Sequence, residues 1–249
     1  MNWISRDPLK REVDSKDHNL LDEVVDKILN KVTATTDFEI ELQIHDLLLK
    51  NVEYVNKEKR SEHTIEGPLL NKKAVCEGIA KATKYLLNRK GVGCEIVIGK
   101  LREDTSVYHA WNVVSVDGAW YHLDVTADIG MTAKGNFRYD YFNLSDEEIS
   151  TDHIILESAA KCETSRQSYY HRMGLVINTQ SAFREVLTKR IKNGEKEITF
   201  KLPSTKDPKA VSEKIVNNVE EALKSIKHRF HRYEIRPNST QLVFTLILS

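Results

Sequence analysis

The stretch VYHAWNVVSVDGAWYHLDVTAD, residues 107–128, consists of two alternating hydrophobic runs joined by Asp117 and Gly118. An Asp-Gly pair between such runs predicts a β-hairpin, because glycine tolerates the positive φ that a type I′ turn requires. Side chains alternate between the faces of a strand, so a two-residue loop places His109 and Asp124 on one face as diagonal neighbours. Diagonal neighbours are roughly 7–8 Å apart at Cα, within reach for an imidazole and a carboxylate. The hairpin therefore predicts a histidine oriented by an aspartate.

The same register pairs Val116 with Ala119 and gives the hairpin two different faces. The first face is mostly apolar and is expected to be core: Ala110, Asn112, Val114, Val116, Tyr121, Leu123 and Val125. The second face is too polar for plain core and predicts the wall of a cleft: His109, Trp111, Ser115, Trp120, His122, Asp124 and Thr126. A turn longer by one residue would instead move His109 and Asp124 to opposite faces.

The composition is that of an ordinary globular protein, with 249 residues of which 40% are hydrophobic and 30% are charged. This length predicts one large domain or two smaller ones. The sequence has no run of about 18 apolar residues, so no membrane span is expected. The polar N-terminus, MNWISRDPLKREVDSKD, lacks the apolar core of a signal peptide, which predicts a cytoplasmic chain, although a trimmed secreted chain would look the same.

The three cysteines are Cys76, Cys94 and Cys162. An odd, sparse set without a CxxC pair argues against both a disulfide framework and a zinc site. We therefore expect neither a metal nor another cofactor, and we expect Cys94 and Cys162 to be inert. The spacing of the possible zinc ligands matches no common site: Cys76, His109, His122 and Asp124.

The charge is unevenly distributed along the chain. From residue 161 onward there are 17 Lys and Arg against 9 Asp and Glu, a balance of +8 that the rest of the neutral chain offsets. This asymmetry predicts either two domains that attract each other or a basic module with an acidic partner; solvated charged faces explain it as well. We expect two domains, residues 1–160 and residues 161–249, and no nucleic-acid partner.

The predicted elements of residues 1–160 indicate an α+β unit. Apolar spacing and capping residues predict three helices and, besides the hairpin, two strands, over residues 17–32, 36–51, 71–91, 93–101 and 137–144. A charged loop, residues 56–67, is expected to be exposed, and Ser145 is expected to cap a short helical turn. This order predicts a helix packed on an antiparallel sheet.

Cys76 lies at the beginning of the third predicted helix. There the unpaired backbone N–H groups and the helix dipole favour an anion, and the thiolate is the nucleophilic form of cysteine. A lone cysteine near a helix start is usually a small buried hydrophobe. Together with the predicted His109–Asp124 pair, however, Cys76 completes the roles of nucleophile, base and orienting group.

Residues 161–249 predict a small α+β module. Thr179 is a candidate N-cap for one helix, and Pro208 is suited to be the first residue of a longer helix. Three strands are predicted, of which the last two are joined by a turn at Pro237-Asn238-Ser239: residues 198–202, 230–235 and 241–248.

Two segments, KAVCEGIAKATKYLLN and YHAWNVVSVDGAWYHLDVT, closely resemble the transglutaminase-like superfamily as found in bacteria. With its flanks, FEIELQIHDLLLKNVEY and YFNLSDEEIS, the resemblance covers about residues 36–155. It implies a papain-like or transglutaminase-like core, in which a catalytic helix packs on an antiparallel sheet. The family's catalytic Cys, His and Asp fall on Cys76, His109 and Asp124.

The resemblance implies thiol-dependent acyl transfer on amide bonds of a protein or peptide. Cys76 would attack the carbonyl, His109 would act as base and then acid, and Asp124 would orient His109. The backbone N–H of Cys76 would hold the oxyanion, with Tyr54 as a candidate second donor. The candidate substrate-binding residues are Trp111, Trp120, His122 and Tyr54, although His122 is also explained as a structural histidine and Tyr54 as a core tyrosine.

Two departures from the family bear on the chemistry. Lys72 stands where the family usually has glycine or another small residue, just ahead of the cysteine motif. Only Trp111 and Trp120 are available to exclude water, which favours hydrolysis over amine cross-linking. The alternative is a catalytically silent scaffold whose basic C-terminal module binds an acidic partner.

Overall fold

The computed structural model describes residues 18–56, 59–132, 136–205, 207–225 and 232–249. The chain divides into two compact units, of which the first ends at Ser168 and the second is Tyr169–Ser249. Within the described ranges, no helix has both the length and the apolar character needed to cross a bilayer. Two predicted elements begin outside the described residues: the first residue of the helix 17–32, and residues 230–231 of the strand 230–235.

The first half of the N-terminal unit is helical. It contains three helices, two short paired strands, a 3₁₀ turn and a π-helical turn, in the order α1 (His18–Leu29), α2 (Asp37–Asn51), β1 (Glu53–Tyr54), 3₁₀ (Arg60–His63), π (Gly67–Asn71), β2 (Lys73–Ala74) and α3 (Cys76–Arg89). Thr36 caps α2 by accepting a hydrogen bond from the backbone N–H of Glu39, as its sequence predicts. The predicted helices are therefore confirmed, within a few residues at their ends.

The second half of this unit is an antiparallel sheet with two short helices. Its elements are β3 (Cys94–Leu101), β4 (Tyr108–Val116), β5 (Ala119–Leu123), α4 (Val125–Met131), β6 (Phe142–Leu144), α5 (Asp146–Ile149) and β7 (His153–Glu157). The strand order is β6-β5-β4-β3-β7, so the predicted hairpin, β4-β5, lies at the centre. The strand β7 was not predicted from the sequence. The predicted α+β class is confirmed.

The predicted register of the hairpin is confirmed. Val116 pairs with Ala119, and the two loop residues, Asp117 and Gly118, have φ values of 49° and 80°. The strand β5 nevertheless ends at Leu123, because Asp124 leaves the sheet and caps α4. The assignment of Thr126 to the second face of the hairpin was therefore wrong, since this residue lies in α4.

Both faces of the hairpin are buried. On the first face, the amide of Asn112 donates a hydrogen bond to the backbone oxygen of Ala80 in α3, at 3.0 Å. The second face is covered by the chain that follows the hairpin, in a cluster of Val97, Trp111, Val113, Tyr141, Leu144, Ile149 and Cys162. The prediction that this face forms a cleft wall was wrong, because a layer of later residues packs over it.

The charged loop before α3 is also more buried than predicted. From residue 59 onward, the loop includes the buried residues Glu62, Ile65 and Glu66. The carboxylate of Glu62 accepts a hydrogen bond from the backbone N–H of Lys59, and its backbone oxygen accepts one from Val75. The backbone N–H of Lys59 thus supplies a hydrogen-bond partner for this buried carboxylate.

Lys72, which stands where the family usually has a small residue, has φ 59° and ψ 20°. This is the left-handed region, which glycine enters at little cost. The Lys72 ammonium donates a hydrogen bond to the backbone oxygen of Leu69, at 2.6 Å. This chain therefore makes a left-handed turn with a lysine.

Residues 161–168, which the sequence assigned to the second domain, group with the N-terminal unit. The backbone oxygen of Cys162 accepts a hydrogen bond from Asp146, at 2.7 Å. Further along, the backbone oxygen of Gln167 accepts one from the amide of Asn143, at 3.2 Å. The boundary between the units therefore follows Ser168 rather than residue 160.

The C-terminal unit is a small α+β module. It contains α6 (Tyr169–Arg172), α7 (Gln180–Lys192), β8 (Glu197–Lys201), α8 (Pro208–Ser225), β9 (Tyr233–Asn238) and β10 (Val243–Leu248), with an antiparallel strand order of β8-β10-β9. Thr179 caps α7, and Pro208 is the first residue of α8, as predicted. The predicted turn was misplaced, because Pro237 and Asn238 still pair with β10.

Gly78 allows the first turn of α3 to approach the loop before it. A Cβ at this position would lie 2.2 Å from the backbone oxygen of Glu62, whereas one at Gly130 in α4 would have no atom within 4 Å. We expect Gly78→Ala to lower the free energy of unfolding by about 1–3 kcal/mol through overpacking. The matched control, Gly130→Ala, is expected to keep or raise it by up to about 1 kcal/mol. Urea unfolding of both variants measures this, and equal stabilities would contradict the assigned contact.

Candidate active site

Cys76 is the first residue of α3, and its side chain is partly exposed. The N–H groups of the first helical turn have no partner within the helix, so they favour an anion or an oxyanion beside the thiol. The strand β2 leads into this helix and pairs in parallel with β1, which sets Tyr54 beside Ala74. Cys76 thus lies where a short sheet meets a helix N-terminus.

The structure brings Cys76, His109 and Asp124 together. Nε2 of His109 lies 2.6 Å from Oδ2 of Asp124 and donates to it, since a carboxylate only accepts. The thiol of Cys76 lies close enough to the imidazole of His109 to contribute to the raised pKa of that ring. His109 is 8% exposed and Asp124 is fully buried, so a thiol, an imidazole and a carboxylate form one chain that opens to solvent at the thiol.

The charges in this chain support each other. Burial of the ring opposes a positive charge on His109, but the Asp124 carboxylate and the Cys76 thiol outweigh it and raise the pKa of His109 to about 10. Burial alone would raise the pKa of Asp124, but His109 and His153 hold it well below its usual range. At neutral pH, His109 is therefore an imidazolium that can donate a proton, and Asp124 is ionised.

His153 is a second histidine on Asp124 that sequence reasoning missed. Nε2 of His153 lies 3.0 Å from Oδ2 of Asp124, the same oxygen that accepts from His109. His153 begins β7, an edge strand that pairs with β3. The sequence signal was weak, because HIILE is a short run that lies 29 residues after Asp124.

Trp111 and His122 are buried behind His109 and do not line the site. Trp111 is 1% exposed and stacks on His109, with ring centroids 5.6 Å apart and planes at 21°. Its indole N–H donates to Nδ1 of His122, and Nε2 of His122 lies 2.8 Å from Oδ1 of Asp146. Because both side chains are buried, neither is expected to contact a substrate directly. Burial also lowers the pKa of His122, which is therefore a neutral structural histidine.

Trp120 is half-buried and packs against the cluster that covers the second face. Tyr54, by contrast, is 43% exposed and lines a cleft beside Cys76 and His109. The cleft has a volume of about 660 Å³, and its lining also includes Val55, His63, Val75, Glu77, Leu101, Glu103, Asp104, Val107, Tyr108 and Ala110. Of the four candidate substrate-binding residues, the structure therefore places Tyr54 at the cleft.

Two groups of side chains in the described residues have the composition of a metal site: His109, Asp124 and His153, and His122, Asp146 and Cys162. In the first group, both Nε2 atoms donate to one carboxylate oxygen. In the second, Trp111 donates to Nδ1 of His122, so Nε2 carries the proton and has no lone pair for a cation. Hydrogen bonds therefore explain why the side chains of each group lie close together.

The raised pKa of His109 makes stability depend on pH. A group whose pKa is raised by folding stabilises the protein fully below its unfolded pKa of about 6.5, and this contribution is lost as the pH rises through about 10. The unfolding free energy should therefore fall as the pH rises through this window. We expect His109→Gln to make that fall shallower, by at most about 1.4 kcal/mol per pH unit. Urea unfolding from pH 6 to pH 10 checks this, and an unchanged slope would show that His109 is not charged in the folded state.

Comparisons with known proteins gave one family match and two similar solved structures. Residues 23–125 match the sequence model of the transglutaminase-like superfamily. Two solved structures are similar to this chain. One is a "Putative Cysteine Protease" from Cytophaga hutchinsonii, with 18% identity and a TM-score of 0.38; the match covers 46% of this chain and 43% of that chain. The other is a TGase, with 16% identity and a TM-score of 0.41; the match covers 68% of this chain and 42% of that chain. The chain thus spans less than half of either structure. No curated protein matched. The likeness to the transglutaminase-like superfamily therefore rests on residues 23–125, the part of the chain that the family model matches.

Proposed function

We propose that the N-terminal unit is a thiol-dependent acyl-transfer enzyme that acts on amide bonds of proteins or peptides. The observation that carries this proposal is the proximity of the Cys76 thiol to His109, which is itself hydrogen bonded to Asp124, at a cleft that Cys76 and His109 line. A nucleophile, a base and a group that orients the base are the parts that covalent acyl transfer requires.

The proposed mechanism has two halves. The thiolate of Cys76 attacks the amide carbonyl, and the N–H groups at the start of α3 stabilise the oxyanion. The imidazolium of His109 then gives its proton to the leaving nitrogen, the C–N bond breaks, and a thioester remains on Cys76. In the second half, neutral His109 takes a proton from the incoming nucleophile, which displaces the thiolate. Asp124 holds the ring of His109 throughout.

Hydrolysis is favoured over cross-linking. An amine acceptor competes with water best in a site that excludes water. Trp111 is buried under His109 and Trp120 packs against the second-face cluster, so neither forms a tunnel above the thiol. The described lining of the cleft includes charged side chains, among them Glu77, Glu103 and Asp104. This supports water as the acceptor of the acyl group.

The rim of the cleft favours a substrate with an apolar side chain near the reacting amide. Tyr54, Val107 and Tyr108 are 43%, 61% and 57% exposed, and all three line the cleft. Large apolar side chains that are exposed around a concave site commonly mark a binding surface. The proposed substrate is therefore a peptide segment with an aromatic or aliphatic residue beside the amide.

Replacement of the nucleophile tests the reaction. We expect Cys76→Ala to abolish both the thioester adduct with peptide substrates and the labelling of Cys76 by an alkylating probe, because no other group would form the covalent bond. The matched control is Cys94→Ala, since Cys94 is 1% exposed and burial raises the pKa of its thiol well above the ordinary value. Mass spectrometry of the trapped protein measures the adduct.

Retained turnover in Cys76→Ala would refute the mechanism. A wild-type protein that forms no adduct with any member of a diverse peptide library would favour the alternative, a silent scaffold. In that case, binding of an acidic partner by the C-terminal unit would become the leading function.

Replacement of the rim tests the substrate class. We expect Tyr54→Ala and Tyr108→Ala each to raise KM by about 10-fold for peptides with an aromatic residue beside the amide, with little change for glycine peptides, because the lost contact involves the side chain. The control is Tyr233→Ala, an exposed tyrosine of the C-terminal unit. Equal effects on aromatic and glycine peptides would contradict the assigned substrate class.

A further inference from the structure

Asp124 makes more hydrogen bonds than a triad requires. Its Oδ2 accepts from His109 at 2.6 Å and from His153 at 3.0 Å, while its Oδ1 accepts from the backbone N–H of Ala127 at 3.0 Å. The carboxylate is fully buried, and so is its second histidine, which is 1% exposed. Two imidazoles therefore share one buried negative charge, and only one of them contacts the thiol.

The ring of His153 is held on its other side as well. Its Nδ1 lies 2.6 Å from Oδ1 of Asp152, and Oδ2 of Asp152 accepts a hydrogen bond from the hydroxyl of Tyr141 at 2.7 Å. The backbone oxygen of Tyr141 also accepts a hydrogen bond from the backbone N–H of Asp124, at 3.0 Å. This closed arrangement fixes the position of His153 relative to Asp124.

The geometry determines the protonation of His153. Each ring nitrogen faces a carboxylate oxygen at hydrogen-bonding distance, on Asp124 and on Asp152. A carboxylate only accepts, and a neutral imidazole has only one N–H, so both contacts are satisfied when the ring is an imidazolium. The pKa of His153 is raised accordingly, since the two aspartates outweigh the effect of burial.

The groups that face His153 fall into two classes. The anions are Asp124, which precedes α4, and Asp152, which precedes β7. The other titratable groups are Tyr141 and the imidazoles of His109 and His122; the His109 and Tyr141 rings lie 5.5 and 5.6 Å from the ring of His153. A cation at His153 therefore lies between the buried carboxylate of Asp124 and the half-buried carboxylate of Asp152.

We propose that His153 is a positioning residue which, as an imidazolium between Asp124 and Asp152, fixes the Asp124 carboxylate and limits the negative charge that it presents to His109. This inference rests on the proposed role of His109 as the acid and base of acyl transfer. Without His153, Asp124 would attract the proton of His109 more strongly, and His109 would release that proton less readily to the leaving nitrogen in the first half of the reaction.

The ring nitrogens report this role directly, without any substrate. The full chain, with ¹⁵N-labelled histidine rings, would be titrated by NMR from pH 5 to pH 11, and loss of signals in His109→Gln and His153→Gln would assign the two rings. We expect both nitrogens of His153 to be protonated at pH 7. In His153→Gln, we expect the transition of His109 to move upward by about one pH unit, because a nearby positive charge is lost.

The matched control is His122→Gln. His122 is a buried neutral histidine on the same face of the hairpin, but it contacts Asp146 rather than Asp124. This variant is expected to leave the transition of His109 in place. Where His153→Gln does not fold, as judged by near-ultraviolet circular dichroism, Asp152→Asn replaces it. That variant removes one partner of His153 and is expected to lower the transition of His153 itself.

Several outcomes would overturn the proposal: a singly protonated His153 at pH 7, an unmoved His109 transition in a folded His153→Gln, or, where only Asp152→Asn folds, an unmoved His153 transition. The proposed function fails on a different observation, the absence of an acyl adduct on Cys76. Where turnover is found, the alkaline limb of its pH profile should move with His109 in His153→Gln, which a packing role alone would not produce.

Discussion

The buried carboxylate of Asp124 is the interaction on which this site depends. Removal of an ionised carboxylate from water is unfavourable unless donors replace the lost hydration. Here His109, His153 and the N-terminus of α4 supply these donors. They come from β4, β7 and the helix that follows the hairpin, so one charge joins three parts of the N-terminal unit. The orientation of His109 is consequently a property of the whole sheet.

The nucleophile is positioned by a separate set of contacts. Gly78 lets the start of α3 pack directly on the backbone of the loop that contains Glu62. The backbone N–H of Val75 donates to this loop, just before Cys76. The thiol thus lies at a helix end that favours negative charge. Its proximity to His109 joins the two parts of the site.

Buried polar side chains beneath the site are paired rather than free to bind ligands. Trp111 stacks on His109 and donates to His122, which in turn donates to Asp146. Each contact satisfies a polar group that would otherwise be buried without a partner. Such a layer holds His109 in one orientation, which a base needs in order to serve first as acid and then as base. The polarity of this face reflects support of the site rather than contact with substrate.

The sequence by itself determined the features that depend on local chemistry. Asp117-Gly118 specifies a two-residue turn, the turn specifies the register, and the register places His109 and Asp124 together; Cys76 follows from the start of a helix. Only the tertiary structure decided that the second face is buried and that His153 shares Asp124. The burial depends on distant residues such as Tyr141 and Cys162, which pack over that face. The position of His153 depends on β7 pairing with β3, about 50 residues away along the chain, and a short edge strand carries little sequence signal for such distant pairing.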